Sequence, residues 1–105
     1  MIASMLDTYG LVGRRAIVTG ASKGIGKTVA TALAGHGACV MLADIDPAVQ
    51  DVADALSASG VQCFSKITDV RVEGDIIDLV RAADAQLGSI DILVNNAGVF
   101  PLLPI

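Results

Sequence analysis

The chain has 105 residues, a formal net charge of −4, 53% hydrophobic residues and only 3% aromatic residues. This length suits a single small domain, and an aliphatic, alanine-rich core suits a parallel sheet that is covered on both faces. The seven Lys and Arg residues are scattered along the chain, so no basic stripe is available to neutralise nucleic-acid phosphates.

The sequence also argues against membrane segments, a signal peptide and a metal site. No apolar run approaches the roughly 18 residues of a membrane helix, and the first ten residues lack the pattern of a signal peptide. We therefore expect a cytoplasmic protein without a membrane partner. Cys39 and Cys63 fall in predicted strands, where free thiols usually act as small buried side chains. With His36 as the single histidine, no metal-ligand cluster is expected.

Strand and helix patterns alternate along the chain with short connections. Strands are predicted at about 15–19, 38–43, 61–65 and 92–94, and helices at about 25–36, from Pro47 up to Gly60, and at about 72–87. Asp46 is the expected N-cap of the second helix. Apolar residues recur at helical spacing on all three helices: Ile25, Val29, Ala32 and Leu33 on the first; Val49, Val52, Ala53 and Leu56 on the second; and Ile76, Leu79, Val80, Ala83 and Leu87 on the third. Such alternation predicts βαβ crossovers in an α/β, doubly wound parallel sheet with strand order 3-2-1-4.

A glycine-containing loop joins the first strand to the first helix, and the chain is organised around it. Gly20 permits a tight turn, while Gly24 and Gly26 allow close approach of backbone and phosphate. The free N–H groups at the start of the helix then favour a pyrophosphate. This arrangement predicts a dinucleotide site.

Asp44 follows the second strand, 24 residues after Gly20 (44 − 20), close to the offset of about 20 residues expected for a ribose-binding acid. A carboxylate at this place accepts hydrogen bonds from ribose hydroxyls and repels a 2′-phosphate. It therefore favours NAD.

A P-loop is the competing interpretation of the same loop. Ala21-x-x-x-x-Gly26-Lys27-Thr28 nearly fits the phosphate-binding pattern of such enzymes, and the strand that ends at Asp44 imitates their Mg²⁺-holding strand. An ATPase is thus one alternative, and a non-catalytic nucleotide-binding module is another.

Two motifs make the resemblance to a family specific. Thr19-Gly20-x-x-x-Gly24-Ile25-Gly26 and Asn95-Asn96-Ala97-Gly98 resemble the cofactor loop and the central-sheet motif of the short-chain dehydrogenase/reductase family. The resemblance implies a Rossmann-type domain over 14–105, incomplete after the fourth strand, preceded by an arm over 1–13. It also implies hydride transfer between a nicotinamide cofactor and an alcohol or ketone.

The resemblance implies a set of cofactor-binding positions, with Asp69-Val70 bracketing the adenine ring. The full set is Gly20, Ser22, Lys23, Gly24, Ile25, Gly26, Asp44, Ile45, Asp69, Val70, Asn95, Asn96, Ala97 and Gly98. Within the family, a basic residue such as Lys23 often accompanies NADP. The acid at position 44 usually dominates, so NAD is the expected cofactor and NADP the alternative.

No catalytic residue can be assigned. The family's Tyr-x-x-x-Lys pair follows the Asn-Asn-Ala-Gly motif, whereas Tyr9, the single tyrosine, precedes the first strand and is followed four residues later by Gly13. The family also implies a homo-oligomer. Because a fourth strand at an open edge exposes apolar side chains and unpaired backbone groups, we expect this chain to self-associate or to be partly molten.

Overall fold

The computed structural model describes residues 10–97. Within that range four strands form one parallel sheet, and three helices connect them. The strands are β1 (Arg15–Thr19), β2 (Cys39–Asp44), β3 (Cys63–Ile67) and β4 (Ile92–Val94), and the helices are α1 (Gly24–Gly35), α2 (Val49–Ser57) and α3 (Glu73–Leu87). The sheet order β3-β2-β1-β4 confirms the predicted fold class and order.

The two central strands carry the core on both faces of the sheet. Val18, Val40 and Leu42 are fully buried in a layer with α1 and α2, while Ile17 and Met41 pack on the opposite face against α3. Side chains alternate between the faces along each strand, so continuous apolar runs fill both layers at once. The apolar core thus fills both layers between the sheet and its helices.

β3 begins and ends two residues later than predicted. Its bounds are set by pairing with β2, from Val40 opposite Cys63 to Asp44 opposite Ile67. The sequence prediction stopped at Ser65 because the apolar pattern ends there. Pairing between main chains continues the strand regardless of side-chain polarity, which brings the end of β3 level with Asp44.

α1 buries a different face from the predicted one. Its buried residues are Gly26, Ala30 and Ala34, while Ile25 is 73% exposed and Ala32 is exposed. The helix packs against β1 and β2 through its smallest residues, because those allow the closest approach of helix to sheet. On α2 the predicted stripe is correct, with Val49, Val52 and Ala53 buried; on α3, Leu79, Ala83 and Leu87 are buried as predicted.

The start of α2 also differs from the prediction. The helix begins at Val49 rather than at Pro47, and Ala48 is its N-cap residue without a side-chain cap. The Asp46 carboxylate accepts a hydrogen bond from the Ala48 N–H at 2.9 Å. Asp46 therefore stabilises the turn that leads into the helix rather than the helix itself.

The two cysteines lie at the starts of neighbouring strands. Cys39 and Cys63, the first residues of β2 and β3, are free thiols, and burial raises the pKa of the Cys63 thiol.

None of the three helices described between residues 10 and 97 has the length and apolar character that a membrane crossing requires.

An apolar groove runs along β4 and α3. It has a volume of about 490 Å³, and Leu93 within it is 66% exposed. Within the described residues, β4 pairs only with β1, so its other edge is open. Ile76 and Val80, predicted for the apolar stripe of α3, are 41% and 51% exposed because they border this groove. We call it the β4 groove; it is lined by Ile17, Thr19, Val70, Arg71, Ile76, Leu79, Val80, Ile90, Leu93 and Asn95.

The self-association expected from the sequence stays a prediction, and the open edge supplies its test. We expect the 105-residue chain to sediment as concentration-dependent oligomers and to bind an apolar dye, since exposed apolar edges recruit further strands. Leu93→Lys should reduce both signals, whereas Ile67→Lys, at the opposite edge of the sheet, should leave them unchanged. A monomer at all concentrations without dye binding contradicts the prediction.

Candidate functional site

The carboxyl ends of the strands open onto a cavity of about 450 Å³. This is the edge at which ligands bind in open α/β sheets. We call it the strand-end cavity; it is lined by Gly20, Lys23, Ala43, Asp44, Ile45, Thr68, Asp69, Val70, Arg71, Asn96 and Ala97.

The Thr19 hydroxyl ties the end of β1 to the segment after β4. It donates to Asn95 Oδ1 at 3.1 Å and accepts from the main-chain N–H groups of Asn96 at 2.9 Å and Ala97 at 3.2 Å. One hydroxyl thus makes three hydrogen bonds, using its donor and both lone pairs. The polar residues after β4 are fixed against β1 by this contact.

Gly20 and Gly26 are required by the chain's own packing. A Cβ on Gly20, whose φ is +63°, would lie 2.7 Å from the Asn96 carbonyl oxygen, and a Cβ on Gly26 would lie 2.0 Å from the Gly20 carbonyl oxygen. Asn96 Nδ2 also donates to that Gly20 oxygen at 3.4 Å. The nearest neighbours of a Cβ on Gly26 are Gly20 and Asn96, because the helix starts directly against the turn; the role of Gly26 toward a phosphate stays a prediction.

Gly24, unlike Gly20 and Gly26, is not packed against another part of the described chain. Gly24 has φ +61°, and beyond the adjoining backbone no atom of the described residues lies within 4 Å of the place its Cβ would take. The N-cap residue Lys23 makes no side-chain cap, and the first turn holds no acidic residue. Ser22 Oγ is buried and has no hydrogen-bond partner in the described part of the chain. The start of the helix therefore presents donors without an internal partner.

Asp44 links the glycine loop to the end of β2. Its Oδ2 accepts from the Ser22 N–H and its Oδ1 from the Asp46 N–H, both at 3.0 Å. Burial acts to raise the pKa of Asp44, but the hydrogen bonds from Asp46 and Ser22 outweigh it and hold the pKa below its ordinary value. The carboxylate is therefore ionised at neutral pH.

The turn after β3 brings a second carboxylate to the cavity. Asp69 forms a salt bridge with Arg71 at 2.9 Å, and its main-chain N–H donates to Asp75 Oδ2 at 2.9 Å. The guanidinium and main-chain N–H of Arg71 lower the pKa of Asp69. This turn is joined to β2, since the Thr68 N–H donates to the Asp44 carbonyl oxygen at 2.8 Å.

The predicted site residues divide into three groups. Eight line the strand-end cavity: Gly20, Lys23, Asp44, Ile45, Asp69, Val70, Asn96 and Ala97. Five do not: Ser22 is buried in the loop before α1, Gly26 is buried in the first turn of α1, Gly24 and Ile25 line a shallow groove on α1, and Asn95 lines the β4 groove. Gly98 lies outside the described residues.

Three residues at this edge were not predicted from the sequence as site residues: Thr19, Thr68 and Arg71. Each lies at or just beyond the carboxyl end of a strand, where parallel strands bring their following residues to one edge. Polar residues at those places are the signal by which they could have been found.

The P-loop interpretation has no support in the geometry. The Thr28 hydroxyl, which would hold Mg²⁺, donates to the Gly24 carbonyl oxygen at 3.1 Å. Lys27 and Thr28 line the groove on α1, whereas Asp44 lines the strand-end cavity. The phosphate-binding and metal-binding residues of a P-loop site would thus lie on separate surfaces. Among residues 10–97, no group of three His, Cys, Asp or Glu side chains could hold a metal ion.

The packing of the glycine loop predicts opposite effects for two glycine substitutions. Gly26→Ala forces its Cβ against the Gly20 carbonyl and should lower the free energy of unfolding by about 1–3 kcal/mol. Gly35→Ala, on the same helix with open space around it, should be neutral or stabilise by up to about 1 kcal/mol. Urea unfolding measures both; equal effects of the two substitutions would contradict the packing described.

The two carboxylates predict how stability depends on pH. The folded-state pKa values of Asp44 and Asp69 lie below the ordinary value, so their contribution is present above the unfolded-state pKa of about 3.9 and is lost as pH falls through the folded-state values. We expect the free energy of unfolding to fall below about pH 5 and Asp44→Asn to flatten that fall. Asp54→Asn, at an exposed site on α2, is the matched control. If the free energy of unfolding of Asp44→Asn varies with pH in parallel with that of the unmodified chain, the prediction is refuted.

Comparisons with known proteins agree with this geometry. The family model described as short chain dehydrogenase matches residues 14–105. Oxidoreductase UcpA of Escherichia coli is 43% identical over 89 residues, which cover 85% of this chain and 34% of that protein. Gluconate 5-dehydrogenase of Gluconobacter oxydans is 43% identical over 94 residues, covering 89% of this chain and 37% of that protein.

A solved structure extends the likeness to the fold. The crystal structure of hydroxysteroid dehydrogenase from Escherichia coli superposes with a TM-score of 0.84 at 42% identity, covering 88% of this chain and 40% of the other. The chain therefore spans about a third of the length of the curated relatives it matches. These relatives bear the names of oxidoreductases, so a non-catalytic module has no support among them. By its family match and its fold, the chain belongs to the short-chain dehydrogenase family.

Proposed function

We propose that the strand-end cavity binds the adenosine part of NAD, and that this chain contributes cofactor binding to a hydride-transferring oxidoreductase. One observation carries the proposal: the Asp44 carboxylate opens onto the same cavity as the glycine loop and the Asp69-Val70 turn. A ribose-binding acid, a phosphate-binding loop and an adenine-binding turn are the three parts that such a cofactor needs.

The ribose end is assigned to Asp44. Each of its carboxylate oxygens accepts one main-chain N–H, and each retains lone-pair capacity for a ribose hydroxyl. The carboxylate is held in place by these bonds before a ligand arrives, so little ordering is needed on binding. A 2′-phosphate at the same place would meet a negative charge, which favours NAD over NADP.

The pyrophosphate is assigned to the start of α1. Free main-chain N–H groups and the helix dipole favour an anion there, and no acidic side chain in the first turn opposes it. The open space around Gly24 and the unpartnered Ser22 hydroxyl fit a ligand that approaches closely and offers hydrogen-bond acceptors. Lys23, exposed at the cavity, adds a positive charge.

The adenine ring is assigned to the outer part of the cavity. Ile45 is 56% exposed beside Asp44, and Val70 lines the same cavity, so apolar contacts are available to a planar ring. Asp69 offers a carboxylate acceptor to the polar edge of that ring.

A bound nicotinamide dinucleotide supplies hydride exchange with an alcohol or ketone. The residues of this chain hold and orient the cofactor, since the 105 residues contain no Tyr-x-x-x-Lys pair. Relatives named gluconate 5-dehydrogenase and hydroxysteroid dehydrogenase support a hydroxyl-bearing substrate class. Assembly of the whole protein into a homo-oligomer stays a prediction of the family resemblance.

Cofactor choice is tested by calorimetry with NAD and NADP. The unmodified chain should bind NAD more tightly, and Asp44→Ala should weaken NAD by about tenfold or more, because a hydrogen bond to a charged group contributes about 1.5–3 kcal/mol. The ratio of the two dissociation constants should shift toward NADP, since repulsion at the 2′ position is removed.

A second site variant and one matched control complete this experiment. Lys23→Ala should weaken NADP more than NAD, and Asp54→Ala should change neither. Tighter binding of NADP than of NAD by the unmodified chain would contradict the assignment and make Lys23 the dominant selector.

A further inference from the structure

Arg71 and Asp69 form a planar, two-point ion pair at the wall of the strand-end cavity. Arg71 Nε donates to Asp69 Oδ1 and Nη2 donates to Oδ2, each at 2.9 Å. The Arg71 main-chain N–H also donates to Oδ1 at 3.0 Å. The Arg71 side chain is 65% exposed, and exposed pairs contribute little to stability. Its two-point geometry instead bears on the orientation of the Asp69 carboxylate.

The hydrogen bonds are distributed unequally over the two carboxylate oxygens. Asp69 Oδ1 accepts two bonds, both from Arg71, whereas Oδ2 accepts one among the described residues. Since each carboxylate oxygen accepts about two hydrogen bonds, Oδ2 retains capacity for a further donor. The guanidinium fork fixes the plane of the carboxylate and thus the direction in which this capacity points.

The backbone beneath the pair is fixed as well. The Asp69 N–H donates to Asp75 Oδ2 at 2.9 Å, and the Val72 N–H donates to the Asp69 carbonyl oxygen at 2.9 Å. The turn is thereby held to the first turn of α3, so the position of the Asp69 carboxylate can change mainly by rotation about its own side-chain torsions. Arg71 restrains those torsions.

We propose, on the basis of the function proposed above, that Arg71 is a positioning residue that sets selectivity for a 6-amino purine. By holding Asp69, it directs Oδ2 to accept a hydrogen bond from the exocyclic amino group of adenine. A 6-oxo purine places an acceptor oxygen at that position, which faces the carboxylate unfavourably. Arg71 itself need not contact the base.

The experiment compares NAD with nicotinamide hypoxanthine dinucleotide, which carries a 6-oxo group in place of the 6-amino group. Calorimetry on the 105-residue chain should give a preference for NAD of about tenfold or more. Arg71→Ala should reduce that preference to about threefold or less, and Arg71→Lys should retain part of it, because an ammonium keeps the charge but not the planar fork. Arg81→Ala, at an exposed arginine within α3 that does not line the cavity, should retain the full preference.

The ratio of the two affinities separates positioning from structural damage, since a loosened turn weakens both dinucleotides alike. A preference for NAD that survives Arg71→Ala overturns this inference and leaves the proposed function intact. Equal affinity of the unmodified chain for both dinucleotides overturns the inference and the role of Asp69 together. Binding of neither dinucleotide overturns the proposed function itself.

Discussion

The contact between Gly20, Gly26 and Asn96 is the constraint on which the rest of the site depends. At this point the end of β1, the start of α1 and the segment after β4 come within van der Waals distance, with no room for a Cβ on either glycine. Close approach here allows the Thr19 hydroxyl to reach the main chain of Asn96 and Ala97. If the loop stood further from β4, neither the hydrogen bonds nor the cavity above them could form in this arrangement.

The cavity is held by polar contacts of a particular kind. Carboxylates and a hydroxyl bind main-chain N–H groups across elements: Thr19 binds the segment after β4, Asp44 binds the glycine loop, and Asp75 binds the turn after β3. The apolar core lies below, within the sheet and its two helix layers. Because each of these hydrogen bonds joins a side chain to the main chain of another element, they hold the carboxyl-end edge of the sheet in place without a ligand. Other donors and acceptors at this edge still face the cavity.

Asp44 combines two tasks that are often considered separately. Its carboxylate joins the glycine loop to β2, and it retains acceptor capacity toward the cavity. An acid at this place thus contributes to the shape of the unliganded loop as well as to any ligand contact. Because of this dual role, a substitution at Asp44 is best evaluated by the ratio of the dissociation constants for NAD and NADP. Loss of order in the loop affects both constants and cancels in their ratio.

Much of the fold follows from the sequence because periodicity and glycine placement are strong local signals. The bounds of β1 and β4, the strand order and the position of Asp44 at the end of β2 all match the prediction. The burial of α1 does not, because an apolar stripe that includes Ile25 cannot reveal that the helix must approach the sheet through glycine and alanine. The extent of β3 was missed for a similar reason, since main-chain pairing rather than apolar character sets it.

The site was predictable as a set of positions but not as a set of contacts. Asp69 is named by the family motif, whereas its pairing with Arg71 depends on a turn whose geometry is set by α3 and β2. Ser22 was assigned to the cofactor from its motif alone, and its buried, unpartnered hydroxyl emerges only from the packing of the loop. Local sequence thus identified eight of the residues that line the cavity but not Thr68 and Arg71, and tertiary packing decides which of their atoms remain free.

The most direct measurement is amide hydrogen–deuterium exchange of the 105-residue chain with and without saturating NAD, followed by mass spectrometry of its peptides. Binding at the strand-end cavity predicts slower exchange in peptides covering 19–26, 43–46 and 68–72, because a ligand there orders the main-chain groups that border it. Peptides covering the middle of α1 around Thr31 should be unaffected. Protection confined to that helix or to the β4 groove, with none at 43–46 and 68–72, would contradict the account.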